Sequence, residues 1–273
     1  MKVPSEALIS AMRSHQKYFS LETLDGSLAP YFITVSNMPS DSNRDARIIA
    51  GNAKVLRARL SDARFFWDQD LKSKLDERVP ALSKINFFDK LGSLGDKSKR
   101  LQKLVPTICE FIGLDSVDRA VKAARLAKAD LSTMMVDEFP ELQGVMGGYY
   151  ASADGEPPEV CRAICGHYAP LGPTDACPSE LLTITISIAD KIDTLVGFFA
   201  INENPTGSKD PFALRRAALG IIRTILENKL RIPLKQLISK SLDEYPHLTD
   251  SNELLDFINE RLKVYLRASG VQP

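Results

Sequence analysis

From residue 95 onward the apolar positions of this chain recur at the three- and four-residue spacing of an α-helix, interrupted only by short clusters of Gly, Pro, Asn and Asp. A strand needs its apolar residues at every second position, so this stretch leaves little room for a sheet. Helices are expected near 95–113, 116–129, 130–138, 157–168, 178–201, 211–229, 233–241 and 251–268. Pro140, the Gly147-Gly148 pair, Asp154-Gly155-Glu156-Pro157-Pro158 and the segment from Asn202 to Ser208 supply the breaks.

The N-terminal part reads differently. Pro4 to Ser14 has Ala7, Leu8, Ala11 and Met12 at helical spacing behind a possible Ser5 cap. The period then shortens: Tyr18 to Leu21 and Tyr31 to Val35 read as strands, and the Asp25-Gly26 turn makes them a hairpin. After a polar loop with Pro39, Arg44 to Asp68 is again helical, offering Ile48, Ile49, Val55, Leu60, Ala63, Phe66 and Trp67 for burial, and a shorter helix from Leu71 to Arg78 stops at Pro80. The expected fold class is mainly α, with a small N-terminal α+β part containing a β-hairpin (1–80) followed by a helical domain (81–273).

The longest apolar run, Leu181 to Ala200, is broken by Asp190, Lys191 and Asp193, so no membrane span is expected. Met1-Lys2-Val3-Pro4 leads into a mixed polar segment rather than an export signal, which makes a cytoplasmic location the expectation. Cys161 and Cys165 sit four apart with His167 and Cys177 nearby, but the paired spacing of a zinc site is missing, and structural thiols are expected.

Thirty-five basic residues balance thirty-five acidic ones, so any affinity for nucleic acid must come from local patches. Two stretches qualify. The first carries Arg44, Arg47, Lys54, Arg57, Arg59 and Arg64 against Asp45 and Asp62. The second carries Lys209, Arg215, Arg216, Arg223, Lys229 and Arg231 against Asp210 and Glu227. Taken alone, each reads more readily as a solvated helix face. In the second, Asp210 is a good N-cap and Pro211 a good first helical residue, so exposed N–H groups beside Lys209 could bind an anion. Arg216 and Arg223 lie seven apart on one face, while Arg215 has the alternative of an internal salt bridge. The G-x-x-x-x-G-K-[ST] spacing of a nucleotide P-loop is absent. Farther upstream, His15 and Lys17 could touch RNA phosphate or ribose, with Tyr18 or Phe19 stacking on a base or, alternatively, serving a core. No G-x-S-x-G elbow and no recognisable cysteine nucleophile is present.

The run from Pro205 to Arg216, Pro-Thr-Gly-Ser-Lys-Asp-Pro-Phe-Ala-Leu-Arg-Arg, resembles a signature of the bacterial glycyl-tRNA synthetase beta-subunit family. Met12 to Phe19, Phe32 to Asn37, Gly51 to Ala63, Lys90 to Asp96, Glu138 to Gly147 and Ala189 to Gly197 resemble the same family in the same order. The resemblance implies part of an α2β2 glycine–tRNA ligase in which the alpha subunit holds the ATP and glycine site. This chain would then carry no cofactor and no catalytic residue of its own, and its partners would be the alpha subunit and glycine tRNA. It further implies that the family's N-terminal region and C-terminal anticodon-binding domain lie outside this sequence. The residues expected on tRNA phosphates are Lys209, Arg215, Arg216, Arg223, Arg57, Arg59, His15 and Lys17.

The helical part also resembles the HD superfamily, metal-dependent hydrolases with a His, a His-Asp pair and a distant Asp. Here Ala129 stands at the histidine of the pair, followed by Asp130; Asp190 resembles the distant Asp and His167 the remaining histidine. That depleted set implies no bound metal, and Asp130, Asp190 and Asp193 are expected to pair with Lys or Arg or to cap helices. A metal-dependent phosphohydrolase and a pure assembly scaffold without RNA contact are the alternatives to the tRNA-binding reading.

Overall fold

The computed structural model describes residues 2–39, 41–207, 209–245 and 252–270, apart from the side chains of His15 and Asn252. Along the chain the elements are α1 (Ser5–Gln16), β1 (Phe19–Glu22), β2 (Leu28–Ile33), α2 (Ser42–Asp70), α3 (Leu75–Arg78), β3 (Asn86–Phe88) and β4 (Gly92–Ser93). Then follow α4 (Leu94–Ile112), α5 (Val117–Leu126), α6 (Met134–Glu138), α7 (Val145–Ala153), α8 (Pro158–Gly166) and α9 (Leu181–Ala200). The last three are α10 (Leu214–Glu227), α11 (Leu234–Leu242) and α12 (Asn252–Ala268). The protein is mainly α with a small β part, as its periodicity indicates. Two compact units divide it: Met1–Ser73 with Leu131–Gln143, and Lys74–Asp130 with Gly144–Pro273.

In the first unit β1 and β2 pair antiparallel, with Phe19 opposite Ile33 and Ser20 opposite Phe32. Gly26, at φ +80°, occupies the turn, where a side chain would be strained. The hairpin's inner face supplies Phe32 and Leu28 to a small core with Met12, Tyr18, Leu56, Ile9 and Leu60. Asp41 caps α2 by accepting the N–H groups of Asn43 and Arg44. At the far end of α2, the buried Asp70 carboxylate accepts the N–H groups of Met134 and Met135, both at 3.0 Å, and so anchors α6.

The second unit is built on α9. Ile184, Ile186, Ile188, Ile192 and Leu195 are fully buried, and α4, α5, α8, α10, α11 and α12 all pack against this helix. The longest apolar run is therefore the central helix of a core; among the described residues no helix is long and apolar enough to cross a membrane.

Two elements escaped the pattern analysis. The Gly147-Gly148 pair, expected to break the chain, lies inside α7. A Cβ on Gly147 would come within 2.8 Å of Ile164, and one on Gly148 within 2.9 Å of Cys165, so the two glycines form the surface on which α8 packs. Gly144, at φ +81°, makes the turn instead. The β3–β4 hairpin, whose first strand carries Phe87 and Phe88, is too short for alternation to show.

Candidate nucleic-acid interface and a closed charged core

The segment 204–216 is a clamp. Thr206 and Lys209 pair across a tight turn through Gly207. The Arg215 guanidinium reaches back to the carbonyl oxygens of Gly207 (2.6 Å) and Lys209 (3.4 Å). Phe212 stacks on Phe198 of α9 at 4.2 Å between ring centroids. The expected N-cap at Asp210 and first helical residue at Pro211 are displaced: α10 begins at Leu214, three residues later, behind Ala213 in the left-handed conformation. The intervening turn is what lets Phe212 reach the core. The Asp210 carboxylate accepts the N–H groups of Leu214 (2.8 Å) and Arg215 (3.0 Å). The anion site expected at this helix start is thus occupied by the chain's own carboxylate.

Arg216 and Arg223, seven apart on α10, have different surroundings. Arg223 is buried, donating to the carbonyl oxygens of Gly172 (3.0 Å) and Asp175 (2.7 Å) and pairing with Glu227 at 2.9 Å. Each of its three guanidinium nitrogens donates within the fold. Arg216 is exposed, and no hydrogen bond or ion pair joins it to another described residue. It lines a groove of about 410 Å³ between α10 and α12, together with Arg215, Leu219, Arg261, Val264 and Tyr265. Arg261 and Tyr265 were missed in the sequence, although with Ala268 they form an i, i+4, i+7 stripe on one helical face. Lys209 is exposed on the neighbouring turn.

In the first unit Arg57 is exposed on α2, and Arg59 is half-buried and 3.7 Å from Asp62. Lys17, which ends α1 at φ +56°, lines a cavity of about 490 Å³ with Arg13 and Phe19. The backbone of His15 lies in α1, while its side chain falls outside the described residues. The two aromatics divide: Tyr18 is buried and donates its hydroxyl to Asn52 at 2.7 Å, whereas Phe19 is exposed.

The HD-like positions lie in the interior of the second unit. His167 is fully buried. Its Nδ1–H donates to the Ile164 carbonyl at 2.6 Å, which leaves Nε2 as an acceptor for the Lys128 ammonium at 2.9 Å. Lys128 also pairs with Asp190 at 3.0 Å and lies 3.8 Å from the centre of the Tyr168 ring. Ala129 is buried, and Asp130 is turned away, accepting the N–H groups of Gly144 (2.6 Å) and Gly147 (3.0 Å) at the start of α7. His167 and Asp190 therefore meet across a lysine, in the place a metal ion would need. Among the described residues no group of three His, Cys, Asp or Glu converges as a metal site. Beside it, Asp193 receives Arg100 Nε at 2.6 Å, Lys97 at 3.0 Å and the Tyr245 hydroxyl at 2.9 Å. Lys191 is held by the carbonyl of Ala169 (2.9 Å) and the hydroxyl of Ser187 (2.8 Å).

The electrostatics follow from this packing. Burial lowers His167 to about 3, and the Lys128 ammonium pushes the same way, so the imidazole is neutral. Burial lowers Lys128 to about 8 against the pull of Asp190. Burial raises Asp130 to about 6, opposed by the two backbone donors. For Asp190 burial also opposes the charge, but Lys128 and Lys97 outweigh it and hold the carboxyl well below the usual range. Asp190 borders a small cavity with Tyr168 and Lys191, but each of these groups is tied to a partner within the chain and none is an open nucleophile.

The structure thus defines a helical protein whose interior charges satisfy one another and whose unsatisfied cations lie on its surface. A sequence profile described as glycyl-tRNA synthetase beta subunit matches residues 1–273, and the chain belongs to that family. It is 50% identical over 277 residues to the glycine–tRNA ligase beta subunit of Rhodospirillum centenum, covering all of this chain and 39% of the relative. The Phenylobacterium zucineum beta subunit is 49% identical over 99% of this chain, and a Coxiella burnetii one 45% identical over 97%. The chain spans 39% of the length of each of these relatives.

Proposed function

We propose that this chain is the part of a glycine–tRNA ligase beta subunit that holds tRNA by its phosphates, in the cytoplasm, while an alpha subunit joins glycine to it using ATP. The observation that carries this reading is the contrast on α10: Arg223 is bound inside, and Arg216 is exposed with no partner among the described residues, beside Arg261 in one groove. Cations so placed suit phosphate contacts, which orient an RNA without reading its sequence. The test is binding of the chain to glycine tRNA and a non-cognate tRNA at low and moderate salt. Affinity that falls with salt and is weakened about tenfold by Lys209→Ala with Arg216→Ala supports the reading. A folded chain that binds neither tRNA at low salt overturns it.

A second reading, subunit assembly, is favoured by the outer face of the β1–β2 hairpin. Phe19, Tyr31 and Ile33 are at least half exposed there, as are Val35 and Met38 in the segment that follows β2. An apolar group of that size, rich in aromatics and without charge, suits a protein partner, which we take to be the alpha subunit. Loss of alpha-subunit association in a Tyr31→Ser, Ile33→Ser variant with intact tRNA binding separates assembly from RNA contact.

A further inference from the structure

We propose that the α10–α12 groove takes one unpaired nucleotide of an RNA strand, with its base against Tyr265 and its phosphodiester on Arg216 and Arg261. This rests on the RNA-binding reading above and goes further by naming the subsite and the kind of RNA element it accepts.

Three observations point the same way. First, among the described residues the groove lining includes three arginines and no acid, so it is complementary to an anion. Arg215 is already engaged with Gly207 and Lys209. Arg216 and Arg261, by contrast, make no hydrogen bond or ion pair with any described residue. Second, the Arg261 Nε–H is buried without an acceptor. A buried donor left unmade is costly, and a small shift of the guanidinium toward an oxygen in the groove would relieve it. The Arg261 guanidinium stands 5.9 Å from the Phe257 ring, which holds the fork at the groove wall. Third, the rest of the lining is mostly apolar: Leu219, Val264, Pro173 and Ala268 line the groove with Tyr265. Val264 is half exposed at the mouth.

A volume of about 410 Å³ suits one small planar group with its linker. A base on a flexible strand meets both halves of this chemistry, the flat apolar surface and the single negative charge beside it. A stacked duplex cannot, because its bases are paired inside and only the backbone is presented. An acidic peptide would satisfy the arginines but leave the apolar wall unused.

The test uses the 273-residue chain and a fluorescently labelled single-stranded hexaribonucleotide, with a blunt RNA duplex as second probe and AMP as competitor. Arg216→Gln with Arg261→Gln, and separately Tyr265→Ala, should each weaken hexamer binding about tenfold or more, the scale of losing one stack or one charged contact. Tyr265→Phe, which keeps the ring, should stay within about twofold, as should Lys235→Gln on the exposed face of α11. Duplex binding should be nearly unchanged by Tyr265→Ala. Melting temperatures and helical circular dichroism matching the wild type show that each variant is folded.

Wild-type hexamer affinity in folded Tyr265→Ala and in the double arginine variant overturns the proposal. So does AMP competing as well as the hexamer, which would make the site one for a free mononucleotide. If tRNA binding persists and is weakened by Lys209→Ala while every groove variant binds as wild type, the subsite fails and the broader reading stands. If the folded wild type binds no tRNA at low salt, both fail.

Discussion

Around Asp190 and Asp193, the buried Lys97, Arg100, Lys128 and Lys191 are each tied to an acceptor of this chain. Between α10 and α12, Arg216 and Arg261 line a groove that contains no acid. Both regions hold concentrated positive charge, yet only the second can offer it to a partner. A cation in the interior must be paired or it forfeits its hydration with no return. A cation at the surface keeps its water and can exchange it for a phosphate. The number of lysines and arginines in a segment therefore says little about binding until each one's partner is known.

The comparison breaks first at Asp193. Asp193→Ala leaves Lys97 and Arg100 buried without their shared carboxylate and should cost about 3–5 kcal/mol, read as a lower urea midpoint. An unchanged midpoint would mean that the interior is hydrated and is not the closed core described above.

Arg223→Ala should be next. It removes the donors to Gly172 and Asp175 and the partner of Glu227, for a loss of about 1.5–3 kcal/mol in the same measurement. If RNA affinity falls and stability does not, Arg223 belongs with the surface cations after all.

The pH dependence sharpens the contrast further. His167 has a folded value of about 3, far below the ordinary imidazole value of 6.5, so between those limits the unfolded chain binds the extra proton. Stability contributed by the neutral imidazole is present above pH 6.5 and is lost on acidification, by up to roughly 1.4 kcal/mol per pH unit. Asp130, raised to about 6, acts in the opposite sense between pH 4 and 6, since there the folded chain holds the extra proton. Urea midpoints of wild type and His167→Gln between pH 7 and 5 isolate the histidine; equal slopes would remove it from the linkage.

The smallest effect is expected at Arg216. Arg216→Ala should change stability by no more than about 0.5 kcal/mol, because it breaks no contact within the described residues. A larger loss on thermal unfolding would move Arg216 from the surface set to the structural one.

Much of the architecture was legible because helical periodicity is a local property. The central helix α9 could be read from its run of isoleucines and leucines. The Tyr18–Ile33 hairpin could be read from alternation across an Asp-Gly turn. The family could be read from motifs in order along the chain. What local pattern could not show is which neighbour a residue meets. Gly147 and Gly148 look like a break in any one-dimensional reading, and only the approach of Ile164 and Cys165 makes them a packing surface. Arg216 and Arg223 are equivalent by spacing; the loop at 172–175 closes over one and leaves the other exposed. Lys128 is an ordinary lysine by local pattern, next to the Ala129-Asp130 pair, and the fold carries its ammonium between His167 and Asp190. Sequence by itself thus determined the elements and the family, because both are written in short-range order. Tertiary structure alone decided which charges are spent inside and which remain available, because burial and pairing depend on segments far apart in the chain.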